Sequence, residues 1–495
     1  MRRTVASFSC LLPLTLLGFQ ATDADLSKQA RGELYAARYE KAAELYRTAL
    51  AQSPSPDDYY YLTRALLNVH RAKDAYATAD EALNRTPHTA GAETAAGLAL
   101  FRNGDLSKAD EHFREAVRLD PKYPGALAGL ATIYSALSKS ATARDVSERA
   151  FAASPDDPIL MLAHANRQTG PPHLEGLEMV LKIFDPASAE ARNIRRHIAS
   201  DRAYADRKLR RLVTPYEPAL MKLTPVMEGT RLRGYALKVQ FNKKSTLTLL
   251  LDTASSGIRI SPRSAEKAGL ELIDEEPGKA TGFGDQKPQD SFSYLAAEVN
   301  IGGVVFADFP VSAYRNAKSA DFDRFIGTGV FSRFMVTLDM PGLRFGLEPM
   351  NSPTDGPRDA PATEADFHRV LRIGSSLLIA TSVNDGAGGW FLIDTAWFSN
   401  VIDTERAKQF TKVKADFHTR VHGAQGNIDK VSRANKVTLA FAGLSQENSN
   451  LLAVSLEDRS DALGFGMTGI IGIPMLSHLK LTIDYAAGAV RFEKP

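Results

Sequence analysis

The sequence predicts an all-α array of repeats followed by an all-β region of two similar lobes. Three observations carry this prediction. A period of 33 to 34 residues runs through the N-terminal third, and after residue 215 the texture changes to short apolar segments broken by Gly, Asn and Asp turns. Within that second region "LLLDTASSGIRI" and "FLIDTAWFSNVI" each run an apolar segment into Asp-Thr-Ala, placing Asp252 and Asp394 142 positions apart.

At 495 residues the chain is too long for one core, so several domains are expected. Hydrophobic residues at 44% and charged residues at 24% are ordinary for a soluble globular protein. The 60 basic and 58 acidic side chains leave +2, which gives no electrostatic support for nucleic-acid binding.

Residues 1–24 have two arginines, an apolar run from Val5 to Phe19 and small residues at Ala21 and Ala24. That is the order of a cleavable signal peptide, and the run is too short for a membrane span. No later run reaches membrane length, so a periplasmic or extracellular protein without a membrane span is expected. Cys10, the single cysteine, falls inside the run rather than at its end, which argues against lipidation. Removing the segment leaves no thiol for disulfides, nucleophilic catalysis or metal binding.

Residues 25–156 carry the period. Pro54, Pro87, Pro121 and Pro155 are separated by 33, 34 and 34 residues. Ala42, Ala75, Ala109 and Ala143 precede these prolines by twelve positions, and Ala49, Ala82, Ala116 and Ala150 by five. Small residues there let paired helices approach closely, while Tyr46 and Phe113 fill one intervening slot. The segment "GLALFRNGDLSKADEHFREAVRLDPKYP", with Gly97, Ala109, Phe113, Ala116 and Pro121, resembles the tetratricopeptide repeat, and about four units fit. The resemblance implies a groove that holds a protein partner; a plain spacer role has the same sequence signature. Residues 157–214 keep helical composition without the period and read as a cap and connector.

Residues 215–349 and 362–495 repeat one order of parts around a linker at 350–361. "STLTLLLDT" and "IRISP" in the first half answer "GWFLIDTA" and "NVIDT" in the second, and Ile326-Gly327 and Ile471-Gly472 stand in matching places. The two glycines follow their aspartates by 75 and 78 residues. The endings "LDMPGLRFGLEP" and "IDYAAGAVRFEKP" align around Asp339 and Asp484, each expected to cap a tight hairpin turn.

This order resembles aspartic proteases of the retropepsin and pepsin type, duplicated within one chain. The expected architecture is therefore an all-α tetratricopeptide-repeat solenoid followed by an all-β two-lobed aspartic protease-like domain. The resemblance implies an exported aspartic-type endopeptidase with an Asp252/Asp394 dyad, an activated water and no cofactor or metal, acting on peptides or unfolded protein. Two carboxylates held close cannot both ionise cheaply, so the pair keeps an acid and a base together. Thr253 and Thr395 are implied to hold the carboxylates coplanar, with Ala254, Ser255 and Ala396 completing the loops.

Gly282, Phe283 and Gly284 in the first lobe and Gly423 and Gly426 in the second suit flap tips over the substrate or ordinary hairpin turns. The family's usual glycine after Asp-Thr is replaced by Ala254 and Ala396, and Trp397 stands where a small residue is usual. Trp397 either shapes a substrate pocket or marks a lobe that has lost catalysis, which leaves a catalytically silent peptide- or protein-binding module as the alternative. His418 and His422, four apart in a segment read as strand, lack further ligands at metal-site spacing.

Overall fold

The computed structural model describes residues 22–205, 207–273, 277–280, 289–314, 324–350, 359, 366–423, 426–428 and 430–494. The predicted signal segment up to residue 21, the Gly282, Phe283 and Gly284 loop and most of the predicted linker lie outside the described residues.

The N-terminal part begins as four helix pairs: α1 Asp23–Tyr35 with α2 Tyr39–Gln52, α3 Pro56–Asn68 with α4 Ala72–Arg85, α5 Ala90–Arg102 with α6 Leu106–Leu119, and α7 Pro124–Ala136 with α8 Ser140–Ala153. Their starts are written in the sequence. The Thr22, Ser55 and Thr89 side chains accept the Asp25, Asp58 and Ala92 N–H groups, and proline opens α3 and α7. Ala42, Ala49, Ala75, Ala82, Ala109, Ala116 and Ala150 are wholly buried, as the spacing predicts. Phe113 is buried between pairs, with Gly97 on α5 and Gly129 on α7 lying against its ring.

The turn inside each pair has one left-handed residue, at Ala37, His70, Gly104 and Ser138. Three of the four are not glycine, so φ alone does not require Gly104. A Cβ at Gly104 would collide with the Gly466 carbonyl of the β region, and this close approach is what excludes a side chain.

Helices α9 Pro158–Ala165, α10 Pro171–Ile183 and α11 Ala189–Ala203 follow and share a separate apolar cluster. The connector is not purely helical: Arg211–Leu212 pairs with the strand Val304–Tyr314 at the edge of the first lobe's sheet. Among the described residues no helix is long and apolar enough to cross a membrane.

Each lobe is built on a ten-stranded sheet. In the first, Ser245–Asp252 lies between Arg231–Phe241 and Phe325–Gly327; in the second, Gly386–Ile393 lies between Ser376–Val383 and Gly469–Ile471. Short helices, α12 Pro262–Lys267 and α13 Thr404–Ala407, follow the corresponding strands Ile258–Ile260 and Val401–Asp403. A third helix, α14 Glu457–Leu463, occurs only in the second lobe among the described residues.

The two C-terminal hairpins merge into one six-stranded sheet. Phe334–Asp339 pairs antiparallel with Lys480–Asp484, and Thr337 faces Thr482 across the junction with their hydroxyls 3.3 Å apart. Register on either side mirrors this pair: Asp339 opposes Arg344 and Asp484 opposes Ala489. The sheet therefore has an approximate two-fold axis, and one core cluster runs through both lobes. Asp339 accepts the Gly342 N–H, and Asp484 accepts those of Ala486 and Ala487, so both aspartates cap their turns. His418 lies in a turn capped by Asp416 rather than in a strand.

The repeat array docks on the second lobe. Arg102 of α5 pairs with Asp461 of α14 through Nε at 3.0 Å and through Nη2, both side chains being nearly sealed from solvent. Phe101 meets Phe465 edge-on with ring centroids 4.9 Å apart, and Arg406 donates to the Asn103 Oδ1 at 2.7 Å.

Candidate active site

Asp252 ends the strand Ser245–Asp252 and Asp394 directly follows Gly386–Ile393, so each carboxylate is carried by the central part of its sheet. Each backbone is held by the apolar-apolar-Gly strand beside it: Asp252 stands in register with Gly327, and Asp394 N–H donates to the Ile471 carbonyl at 3.0 Å. Ile326 and Ile471 are fully buried. Gly327 and Gly472 are required by space, since a Cβ at the first would land on the Ser255 carbonyl and at the second on that of Ser399.

Thr253 and Thr395 bring the two loops together. The Thr253 hydroxyl donates to the Ile393 carbonyl at 2.7 Å and accepts the Thr395 N–H at 3.1 Å. The Thr395 hydroxyl donates to the Leu251 carbonyl at 2.8 Å and accepts the Thr253 N–H at 3.2 Å. Both side chains are buried, so this reciprocal set of four bonds is dry and ties the strand ends to one another. Each aspartate then accepts the N–H two residues on, Ala254 to Asp252 at 2.7 Å and Ala396 to Asp394 at 2.9 Å, which orients the carboxyls.

Burial pushes the Asp252 carboxyl above its usual range. Burial, and then the charge of Asp252, push Asp394 up to about 7. The Ala254 and Ala396 N–H groups work against this, as do nearby arginines: Arg259 beside Asp252, Arg233 beside Asp394, and Arg459 of α14 acting on both. Arg259 lies over the Tyr314 ring and Arg233 over the Phe398 ring.

Trp397 is buried in an apolar cluster with Leu378, Leu392, Val421, Ile428 and Phe465, and Ala254 packs against that cluster. Trp397 thus belongs to the second lobe's core and links the dyad loop to the hairpin that contains Gly423 and Gly426. That hairpin pairs Val421–Gly423 with Gly426–Ile428, and Gly423 faces Gly426. The Ala254 methyl has a packing partner, which gives the glycine replacement a physical reason. Ser255 presses on Gly327 and Gly329 through its carbonyl.

Sequence reasoning missed Arg459, Arg233 and Arg259, because nothing local marks a cation that reaches the site from another element. It also missed Tyr485. The Tyr485 hydroxyl hydrogen-bonds the hydroxyl of buried Thr328, immediately after Gly327, and burial together with the charge of Asp252 pushes the phenol up. The matching positions on the other side of the pseudo-dyad are Met340 and Ile473, so this polar pair supports the Asp252 side only. Comparing "LDMPG" with "IDYAA" contains that signal. Among the described residues no cluster of His, Cys, Asp and Glu is suited to hold a metal.

A family model described as aspartyl protease matches residues 237–328, a span that runs from the strand before Asp252 to Thr328. One described as tetratricopeptide repeat matches residues 94–123, from within α5 to the residue before α7. No curated protein matches the chain. Among solved structures, a thermophilic tetratricopeptide-repeat protein of Thermus thermophilus is 21% identical, with 37% of this chain and 100% of that chain covered at a TM-score of 0.29. YrrB, titled a tetratricopeptide-repeat protein with an unusual peptide-binding site, is 19% identical over 30% of this chain and 75% of its own, at a TM-score of 0.21. The Cut9-Hcn1 hetero-tetramer of the APC/C is 18% identical over 36% of each chain, at a TM-score of 0.26. The chain thus joins tetratricopeptide-type helical repeats to a two-lobed β region of aspartyl protease type.

Proposed function

We propose that this protein is an exported aspartic-type endopeptidase in which Asp252 and Asp394 cleave peptide bonds of extended or unfolded polypeptides. The observation that carries the reading is the reciprocal Thr253/Thr395 lock, which fixes two carboxylates on symmetric strand ends while one of them is pushed up to about 7. A pair poised that way holds one ionised and one protonated carboxyl over a broad pH range.

The ionised carboxylate takes a proton from water as the water oxygen bonds to the scissile carbonyl carbon. The protonated carboxyl gives its proton to the carbonyl oxygen, and a tetrahedral diol forms. Collapse restores the carbonyl, breaks the C–N bond and passes a proton to the leaving nitrogen. Extended substrate enters between the lobes as an added strand. Arg459, Arg259 and Arg233 favour the ionised form and limit how far burial raises the pair.

Export rests on the order of residues 1–24. Of the two candidate cuts, cleavage after Ala21 leaves Thr22 in place to cap α1, whereas cleavage after Ala24 removes that cap and the first helical residues. N-terminal sequencing of the mature chain distinguishes them.

The deciding experiment is cleavage of casein by the purified chain from about pH 3 to about pH 8, beside Asp252→Asn. Loss of cleavage by a factor of about 100 or more in the variant supports the dyad. Absence of cleavage by a folded wild-type chain across that range refutes the peptidase reading.

A further inference from the structure

The two functional parts of the chain meet at a cavity of about 590 Å³ that neither part has alone. One wall is helical, from α7, α8 and α9. The other is the end of the strand Leu371–Ile373 with Gly374 of the turn that joins it to Ser376–Val383, together with Leu463 of α14. Its floor is apolar, with Phe101, Ala131, Leu160 and Ile373, and its charges among the described residues are three arginines, Arg144, Arg167 and Arg372, with no carboxylate.

Two of the arginines are held in place by the surrounding backbone and side chains. Arg167 is held in position, donating to the Ala163 carbonyl at 2.5 Å and to the Ser147 hydroxyl, with Glu148 as its nearest counter-charge at 3.8 Å. Glu148 is shared with His164 at 2.6 Å. Burial lowers the pKa of Arg167; the charge of Glu148 raises it, and that of Arg144 lowers it more weakly. Arg372 is fixed by donating to the Tyr485 carbonyl at 2.7 Å, and both Arg372 and Arg144 are exposed. Three arginines around an apolar floor complement an anionic ligand that also carries apolar groups.

The cavity adjoins the dyad by two routes. Immediately after Gly374, Ser375 donates to the Ala254 carbonyl at 3.2 Å, and Ala254 is the residue whose N–H holds Asp252. On α14, Leu463 lines the cavity one turn after Arg459, whose charge acts on both catalytic carboxyls.

We infer that this cavity is a subsite for an acidic segment of the substrate polypeptide, engaged by Arg144, Arg167 and Arg372 while the adjoining stretch lies in the cleft between the lobes. The occupant is identified by charge complementarity, and the Ser375–Ala254 hydrogen bond places the cavity next to the dyad loop. The inference rests on the endopeptidase reading for the identity of the cleft, but binding tests it independently of hydrolysis.

The experiment uses the full chain with Asp252→Asn, so that a peptide is held and not cut. A fluorescent peptide with an apolar half and a glutamate-rich half is titrated by anisotropy beside its glutamine-for-glutamate counterpart, at low and at high salt. The glutamate peptide is expected to bind about fivefold tighter at low salt, and the preference to shrink at high salt. Adding Arg144→Glu abolishes the preference, whereas Arg144→Lys retains most of it. Equal affinity for the two peptides, or a preference untouched by Arg144→Glu, overturns the inference. A surviving preference in a chain whose wild type cleaves nothing would overturn the peptidase reading and leave this subsite standing.

Discussion

Replacing Asp394 by Asn should stabilise the folded protein above neutral pH and leave it unchanged in acid. Asp394 is only partly exposed, and burial followed by the charge of Asp252 pushes its carboxyl from 3.8 to about 7. A carboxyl raised on folding contributes stability that is fully present below its unfolded value and lost as pH rises through its folded value. At about pH 8 the wild type has therefore given up that contribution, which the span from 3.8 to about 7 makes roughly 4 kcal/mol. Water reaches the carboxyl and screens it, so about half, ~2 kcal/mol, is the expected gain on removing the charge. Asparagine keeps an Oδ1 to accept the Ala396 N–H now at 2.9 Å, so the substitution removes charge with little change of shape. Thermal unfolding at about pH 8 should rise by roughly 4–8 °C in Asp394→Asn and be unaltered at about pH 4. An unchanged or lower midpoint at the higher pH would refute the claim that the pair is held against its own charge.

Four further substitutions probe other links. Thr395→Val leaves the Thr253 N–H and the Leu251 carbonyl buried without their shared partner, and a loss of about 2–3 kcal/mol with at least about tenfold slower cleavage is expected; full activity in a folded variant would show that the lock does not position the dyad. Arg102→Ala strips Asp461 of its buried partner, leaving exposed His70 at 3.3 Å, and a cost of about 3 kcal/mol should appear in calorimetry as a repeat array that unfolds ahead of the lobes. One unchanged transition would count against docking through this pair. Gly97→Ala puts a methyl 2.6 Å from the Phe113 ring, against which Gly129 also packs, and should cost about 1–3 kcal/mol; Gly32→Ala, with open space around it in α1, should instead stabilise by about 0.5–1 kcal/mol. Similar denaturant midpoints for the two variants would be inconsistent with this packing.

Much of the architecture is legible in the chain because its signals are local. A period of 33 to 34 residues places Ala42, Ala75 and Ala109 at equivalent buried positions, since one helix pair fills one period and each must approach its partner. Asp-Thr-Ala after an apolar strand, twice, marks both halves of the candidate site, and Gly327 and Gly472 are readable because the loop pressed on each leaves no room for a Cβ. Tertiary structure alone decided the rest. Trp397, in sequence either a pocket wall or a sign of lost catalysis, is core because Val421, Ile428 and Phe465 close over it. Tyr485 reaches Thr328 only because the terminal hairpins share one sheet, and Arg459 reaches the dyad only because α14 folds back to it. Arg102 and Asp461 stand 359 positions apart, in segments whose local patterns are complete without each other. Periodicity and turn chemistry are properties of neighbouring residues and survive in a linear reading, whereas the charges that tune the dyad and the face that docks the repeats are chosen by which surfaces remain unburied after each part has folded.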